Sequence, residues 1–166
     1  MIPAITSLKN QNIDSIVALA KPIWQEHYTP IIGEQQVDYM LEKFQSREAI
    51  ESQLKQGYQY YQVNEQSRLL GYFSIQFRKN ARLFISKFYL SKQARGKGLG
   101  KQMLNFIEKL ANSNKCYTID LTVNKYNPAY QIYLKLGFTN QGTIEFDIGN
   151  GYIMDDFLMS KNIFSP

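Results

Sequence analysis

The chain has 166 residues, of which 44% are hydrophobic and 20% charged, and its formal net charge is +5. This composition is typical of a folded globular protein and excludes intrinsic disorder. The length fits a single domain over residues 1–166 with a sizeable core. One cysteine, Cys116, excludes an internal disulfide, and no His/Cys cluster has metal-ligand spacing, so we expect no metal.

The positive charge raises the question of an anionic partner. Lysine and arginine form no run longer than two residues, and the aromatic residues are not interleaved with basic clusters as base-stacking platforms require. Nucleic acid is therefore disfavoured, while an anionic cofactor explains the charge as well as ordinary solubility does. No secretory leader or bilayer-length apolar run is recognised, which predicts a cytoplasmic protein without a membrane partner.

Hydrophobic periodicity predicts the order of the secondary-structure elements. Residues 2–9 suit a short edge strand, and from Asn12, a candidate N-cap, apolar residues recur at helical spacing. Further helices are expected where such spacing returns, and strands where β-branched and aromatic residues lie between turn signals. The predicted helices cover 34–44, 46–56, 99–111 and 128–136, and the predicted strands cover 58–63, 69–77, 83–90, 117–123, 138–148 and 152–160.

This order predicts an α+β domain, a three-layer α/β arrangement with a mixed sheet. The helix over 99–111 joins the strands over 83–90 and 118–123. We expect those two strands to pair in parallel, because a crossover helix returns the chain in the same direction. The last two strands are expected to form an antiparallel hairpin.

The segment QARGKGLGK, residues 93–101, follows a predicted strand and opens a predicted helix. It is not a Walker loop, because Gln102 stands where that loop needs Ser or Thr. It is not the dinucleotide pattern G-x-G-x-x-G either, because the third glycine, Gly100, comes one position early. Glycines nevertheless let a ligand approach the backbone, and amides at a helix N-terminus favour anionic oxygens. The turn alone fits an anion site or a plain strand-to-helix connection with solvated lysines.

Two motifs together resemble the GNAT superfamily of N-acetyltransferases, which use acetyl-coenzyme A. Residues 93–98, QARGKG, match the family's pyrophosphate-loop pattern Q/R-x-x-G-x-G/A. Further along, Asn127, Tyr133 and Gly137-Phe138 match its pattern N-x-x-x-x-x-Y-x-x-x-G-F. The resemblance covers nearly the entire chain. It implies a mixed, mostly antiparallel sheet of six to seven strands, flanked by four to five helices, in which the parallel strand pair splays apart.

The resemblance also implies how acetyl-CoA is bound. The splayed strands would admit the pantetheine arm, which backbone groups of Phe88, Tyr89 and Leu90 would bond as an added strand does. An amide there would stabilise the tetrahedral oxyanion. Asn127 would contact the coenzyme. The pyrophosphate would lie on the turn, whose residues are Arg95, Gly96, Lys97, Gly98, Leu99, Gly100 and Lys101.

Tyr133 is the implied catalytic residue, and it would also contact the coenzyme. A tyrosine hydroxyl, with an ordinary pKa of about 10, suits protonation of the departing thiolate. Without the resemblance, Tyr133 fits a core position equally, because it belongs to an apolar helix face with Tyr130 and Leu136.

The acceptor is expected to be a small-molecule primary amine, with a di- or polyamine favoured. Carboxylates and aromatic rings in the N-terminal helices and the last hairpin suit a cationic substrate. The candidate substrate-binding residues are Trp24, Tyr28, Asp155 and Asp156. Strand alternation sends Asp155 and Asp156 to opposite faces of the sheet, so at most one can face the acceptor.

No general base is assigned from the sequence. Each acidic candidate is explained as well by a solvated or paired carboxylate, and His27 by a surface position. The family often uses water relays instead of one base. The acidic candidates are Glu26, Glu34, Asp120, Asp155 and Asp156.

Two other functions stay open. The acceptor could be a protein N-terminus or a lysine side chain. Alternatively, the fold could bind CoA as a sensor or partner module without turnover, although Tyr133 argues against that reading. The protein is expected to be a monomer or a homodimer.

Overall fold

The computed structural model describes residues 2–163, which form five α-helices and seven β-strands. The helices are α1 (Ile13–Ile32), α2 (Glu34–Gln45), α3 (Arg47–Lys55), α4 (Leu99–Ser113) and α5 (Ala129–Lys135). The strands are β1 (Ala4–Ser7), β2 (Gln59–Glu65), β3 (Arg68–Arg78), β4 (Arg82–Leu90), β5 (Thr118–Asn124), β6 (Thr139–Gly149) and β7 (Tyr152–Asn162). The predicted order of elements is confirmed, and most boundaries differ by one or two residues.

The strands form a mixed sheet in the order β1-β2-β3-β4-β5-β7-β6. Antiparallel pairs join β1 to β2, β2 to β3, β5 to β7 and β6 to β7. The strands β4 and β5 are parallel, as the crossover helix α4 between them predicts. The α+β class and the mostly antiparallel sheet with one parallel pair are thus confirmed.

The parallel ladder is short. It pairs four residues of β4 with four of β5, from Arg82 with Thr118 to Ile85 with Leu121. Beyond those pairs, β4 continues to Leu90 and β5 to Asn124. The ladder therefore ends well before the residues that were predicted to bind the pantetheine arm.

The first compact unit consists of residues up to Gln76 together with Lys87–Asn105. In α1 the residues Ile13, Ile16 and Ile23 are buried, which is the helical spacing that the sequence shows. Asn12 precedes α1 as expected, but its side chain makes no cap bond and donates to Gln62 Oε1 instead, at 3.4 Å. In β3 the run 71–75 is buried without alternation, as in a strand covered on both faces.

The second compact unit consists of Phe77–Ser86 and the chain from Phe106 onward. Its β5 alternates as the sequence predicts, with Ile119, Leu121 and Val123 buried. The hairpin of β6 and β7 turns through Asn150 and Gly151, both at positive φ, as a two-residue turn between twisted strands requires.

The prediction of one acetyltransferase domain over residues 1–166 stays a prediction. None of the helices within residues 2–163 is long and apolar enough to cross a membrane.

Candidate functional site

The glycine-rich turn leads from β4 into α4 in the first unit. A single 3-10 turn covers Lys92–Ala94, after which Gly96 and Gly98 adopt φ of 75° and 76°. A Cβ at either glycine would meet no atom within 4 Å, so the backbone faces open space there. The Gly98 carbonyl accepts from the Gln102 amide at 3.2 Å, which places Gly98 at the start of α4. The first amides of α4 have no partner within the helix, as at any helix N-terminus, and this end of the helix directly follows the open turn.

Buried apolar residues hold both ends of this turn. Ala94 and Leu99 are each 2% exposed and pack in one cluster with Leu70 of β3, against which Leu90 also lies. The Ser91 amide donates to the Leu70 carbonyl at 2.8 Å. The exposed stretch 95–98 is therefore a short loop between two anchored points, which is how a rigid fold positions a binding loop.

Arg95 and Lys92 of the turn face a carboxylate of α1. Glu26 Oε1 lies 3.6 Å from Arg95 Nη1 and 3.7 Å from Lys92 Nζ. The Arg95 Nε also donates to the Leu90 carbonyl at 3.1 Å. Because all three side chains are more than a third exposed, these ion pairs contribute little to stability. Their effect is to orient two cations beside the open turn.

The end of β4 packs closely against β3. A Cβ on Gly71 would lie 2.4 Å from the Tyr89 carbonyl oxygen, so only glycine allows this approach. The residues Phe88, Tyr89 and Leu90 are all half-buried. Gly100 of α4 lies beside the Phe88 ring, since a Cβ there would be 3.9 Å from it.

Two aromatic rings of α1, Trp24 and Tyr28, lie against the Tyr89 ring in the same unit. The Trp24 and Tyr28 ring centroids are 4.4 Å apart, and the Trp24 centroid is 5.6 Å from that of Tyr89. The Tyr28 and Tyr89 hydroxyls are 3.4 Å apart. Tyr28 and Tyr89 are partly exposed, whereas Trp24 is buried. The structure thus brings the two predicted substrate-binding aromatics onto the side chain of a predicted coenzyme-binding residue.

Asn127, in the second unit, fixes the start of α5. Its Oδ1 accepts from the Ala129 amide at 2.9 Å, and its carbonyl accepts from the Tyr130 amide at 3.1 Å. The side chain is 5% exposed. The position agrees with the prediction that Asn127 opens a helix, while its predicted contact with the coenzyme stays a prediction.

Tyr133 lies on α5 and is half-buried. Its ring meets that of Phe138 edge-on at 5.8 Å between centroids, and its carbonyl accepts from the Phe138 amide at 3.0 Å. Gly137, with φ of 99°, makes the turn that allows this return. The motif residues Tyr133, Gly137 and Phe138 therefore form one local structure, and Phe138 holds the Tyr133 ring.

The two aspartates of β7 differ in burial, because strand alternation sends their side chains to opposite faces of the sheet. Asp155 is half-exposed, and its Oδ1 lies 2.7 Å from Lys125 Nζ. Asp156 is 2% exposed, and its Oδ1 has no hydrogen-bond partner among residues 2–163. Burial raises the pKa of Asp156 to about 6, with a hydrogen bond from Thr122 lowering it and the nearby charge of Asp155 adding to the rise.

Asp120 is fully engaged in structural contacts. Its carboxylate accepts two hydrogen bonds from Arg82, at 2.6 and 2.8 Å, and one from the Ser160 hydroxyl at 2.5 Å. A bidentate arginine and a hydroxyl therefore hold this carboxylate in place between β4, β5 and β7. The ring of His27 meets Tyr28 edge-on at 4.8 Å.

Sequence reasoning missed Lys87 of β4. This lysine is 5% exposed, and its Nζ donates to Gln53 Oε1 at 3.0 Å, to the Phe44 carbonyl and to the Tyr60 hydroxyl. Burial lowers its pKa to about 7. Alternation along β4 carries the signal, because Leu83 and Ile85 are buried and Lys87 continues their face.

Comparison with known proteins agrees with this arrangement. Residues 28–150 match the family model described as the acetyltransferase (GNAT) domain. The chain belongs to the GNAT family. The matched range contains the glycine-rich turn, Asn127 and Tyr133.

One individual relative carries the likeness further. The chain is 37% identical over 71 residues to a spermine/spermidine N(1)-acetyltransferase of Bacillus subtilis (strain 168), a match that covers 42% of this chain and 47% of the relative. The match thus spans about half the length of that curated relative.

Solved structures share the fold over nearly the whole GNAT chain. The PaiA N-acetyltransferase from Thermoplasma acidophilum, solved in complex with coenzyme A, has a TM-score of 0.80 at 21% identity and covers 98% of this chain and 99% of its own. A chimeric spermidine N-acetyltransferase from Vibrio cholerae has a TM-score of 0.72 at 18% identity, with 98% and 96% covered.

Proposed function

We propose that this GNAT chain is an acetyl-CoA-dependent N-acetyltransferase that transfers the acetyl group directly to a primary amine. The glycine-rich turn at the start of α4 carries the proposal. Its backbone faces open space between Gly96 and Gly98, and Arg95 and Lys97 supply positive charge beside a helix N-terminus. That combination suits a pyrophosphate.

The residues present fit the coenzyme. The turn 95–101 would hold the pyrophosphate through backbone amides, and Lys101, exposed in the first turn of α4, adds charge. Backbone groups of Phe88, Tyr89 and Leu90 would bond the pantetheine arm as an added strand does. Asn127 contributes by fixing the start of α5 and with it the placement of Tyr133. Bound acetyl-CoA supplies a thioester, whose carbonyl carbon accepts the amine.

Two groups of the chain would act in acetyl transfer, a backbone amide and the Tyr133 hydroxyl. A backbone amide at the end of β4 stabilises the oxyanion of the tetrahedral intermediate. The Tyr133 hydroxyl donates a proton to the departing sulfur, so that the C–S bond breaks without release of a free thiolate. Phe138 fixes the ring from its edge, which restricts the positions that the hydroxyl can take.

The favoured acceptor is a small di- or polyamine. The aromatic cluster of Trp24, Tyr28 and Tyr89 supports this choice, because ring faces and phenol oxygens attract an ammonium group. The relative from Bacillus subtilis is named for spermine and spermidine. An ammonium group beside the Tyr28 and Tyr89 hydroxyls, which are 3.4 Å apart, would donate a hydrogen bond to an oxygen of this pair.

A thiol-release assay with acetyl-CoA tests the function. It compares diamines and polyamines with monoamines, amino acids, peptides with free N-termini and peptides with internal lysines. Faster release with polyamines supports the proposal. A preference for peptides identifies a protein acetyltransferase, and CoA binding by calorimetry without release in any mixture identifies a binding module.

The role of the aromatic cluster is tested with Tyr28→Phe. Loss of the hydroxyl that faces Tyr89 is expected to raise the KM for a diamine about tenfold, because one hydrogen bond to a charged group is worth about 1.5 kcal/mol. The matched control is Tyr117→Phe, since Tyr117 is 51% exposed and lies outside the cluster. Equal KM values for the parent and Tyr28→Phe would remove this residue from the acceptor site.

A further inference from the structure

The end of β4 is held by contacts within the first unit. Ile85 is the last residue of β4 that pairs with β5, and Lys87 is the next residue whose side chain lies on the same strand face. Beyond it, the Tyr89 carbonyl packs against Gly71 of β3. Residues 88–90 are those proposed to bond the pantetheine arm. Their position therefore depends on β3 and on the side chains of the first unit.

A closed set of hydrogen bonds fixes the Lys87 side chain. Its Nζ donates to the Phe44 carbonyl, to Gln53 Oε1 at 3.0 Å and to the Tyr60 hydroxyl. Gln53 Nε2 also donates to the Phe44 carbonyl at 3.1 Å, and Gln53 Oε1 accepts from the Tyr60 hydroxyl. These four residues, which we call the corner cluster, join β4 to α2, α3 and β2.

The corner cluster places an amine where strand alternation predicts an apolar residue. Leu83 and Ile85 precede Lys87 on the same strand face and are buried. Lys87 is 5% exposed, and burial lowers its pKa to about 7, so the position costs free energy. Part of that cost is offset because the Phe44 carbonyl lies in the last turn of α2, where carbonyls have no helical partner and favour a cation. The lysine gives β4 a directional attachment to α2 and α3, which apolar packing alone does not supply.

We propose that Lys87 is a positioning residue for acetyl transfer, which fixes the end of β4 where backbone groups of residues 88–90 bond acetyl-CoA. The inference rests on the proposed acetyltransferase function and adds a residue that acts through the strand. An amide that stabilises the oxyanion must be held within about 0.5 Å of its productive position. Lys87 directly precedes Phe88 and shares a strand face with Tyr89, so its hydrogen bonds limit how far these amides can move.

The test is Lys87→Met, which keeps an unbranched side chain and removes the three hydrogen bonds of Nζ. The rest of the corner cluster stays bonded, because Gln53 contacts both the Phe44 carbonyl and the Tyr60 hydroxyl. At saturating acetyl-CoA and diamine, the single-turnover rate should fall about 10- to 100-fold, since a misplacement of about 1 Å can cost 10²-fold. The amide chemical shifts of residues 88–90 should also change in the CoA-bound protein.

Gln45→Leu is the matched control. Gln45 is 2% exposed at the end of α2, and its Oε1 accepts from the Tyr72 hydroxyl of β3 at 2.8 Å. The variant therefore also removes a buried hydrogen bond between α2 and the sheet, but on β3 instead of β4. It should lower the free energy of unfolding and keep the parent single-turnover rate and the parent amide shifts of residues 88–90. A role of Lys87 in stability alone would affect both variants alike.

Each outcome decides the assignment. A folded Lys87→Met with the parent rate and unchanged amide shifts at residues 88–90 overturns it, and so does an equal loss of rate in Gln45→Leu. If Lys87→Met does not fold, Tyr60→Phe decides, because it removes one acceptor of Nζ and should shift the same amides; unchanged shifts overturn the assignment. If the parent binds CoA but acetylates no amine, the proposed function fails, and the amide shifts of the CoA-bound variants alone decide whether Lys87 places the strand end.

Discussion

The hydroxyl of Tyr133 is the single atom to which the proposed departure step assigns a proton. The ring is held by Phe138, and the backbone of Tyr133 accepts from the Phe138 amide, so replacing the residue by phenylalanine removes the oxygen and keeps the packing. Residue-scale chemistry can therefore be tested here with little effect on the fold.

We expect Tyr133→Phe to lower kcat about 10²- to 10⁴-fold, with CoA affinity within about twofold of the parent. The basic limb of the pH–rate profile should change, because it reports the loss of the acid. Tyr130→Phe is the matched control, since Tyr130 lies one turn away on α5, packs on Phe157 at 5.0 Å and donates no proton in the proposed step. Equal single-turnover rates for Tyr133→Phe and the parent would contradict the assignment of Tyr133 as the proton donor and leave it a packing residue.

At the scale of the element, the turn between β4 and α4 is a loop held at both ends. Leu70 fixes Ala94 and Leu99, and the glycines between them have positive φ and open surroundings. A side chain there would strain the backbone and fill the space that a pyrophosphate needs, and the two effects can be separated.

Gly98→Val should abolish CoA binding in calorimetry while the protein remains folded. The matched control is Gly57→Val, because Gly57 has φ of 91°, also faces open space, and ends α3 away from the turn. Both variants should lose a similar free energy of unfolding, on the order of 1–3 kcal/mol, from the strained φ. Only Gly98→Val should lose the coenzyme, and unchanged affinity in that variant contradicts the assignment of the turn.

A second elemental feature is the buried lysine that joins four parts of the first unit. Lys87 of β4 reaches the last turn of α2 at Phe44, α3 at Gln53 and β2 at Tyr60. Three oxygen acceptors surround the amine. The acceptors favour the charged form while burial opposes it, and burial dominates because the pKa falls to about 7.

Across the whole molecule, the sequence predicts the elements better than the contacts between them. Periodicity and glycine signals are local, so α4 and the β6–β7 hairpin are predicted within two residues. Alternation separates Asp155 from Asp156 but does not say which one is buried. The ion pair of Glu26 with Arg95 and the contact of Tyr28 with Tyr89 join residues more than sixty positions apart. No local pattern in either segment indicates which distant residue it contacts.

Two buried titratable groups, Asp156 and Lys87, predict an unusual pH dependence of the free energy of unfolding between pH 4 and 10. The pKa of Asp156 is about 6 in the folded state, above its ordinary value of 3.8, so the folded state binds more protons between these values and stability falls as the pH rises through that window. Lys87 has a folded pKa of about 7 against 10.5, so the unfolded state binds more protons there and stability rises with pH. Both penalties are present together between about pH 6 and 7.

The free energy of unfolding measured in urea from pH 4 to 10 should therefore have a shallow minimum near pH 6–7. Single variants separate the contribution of Asp156 from that of Lys87. The free energy of unfolding of Asp156→Asn minus that of the parent should increase as the pH rises from 4 to 6. The increase should reach about 3 kcal/mol, at about 1.4 kcal/mol per pKa unit. The free energy of unfolding of Lys87→Met minus that of the parent should decrease as the pH rises from 7 to 10, by up to about 5 kcal/mol on the same scale. Lys109→Met, on the exposed face of α4, should show the same pH dependence of the free energy of unfolding as the parent. A Lys87→Met difference that is constant from pH 7 to 10 would mean that the buried amine keeps its proton, with the three oxygen acceptors outweighing burial.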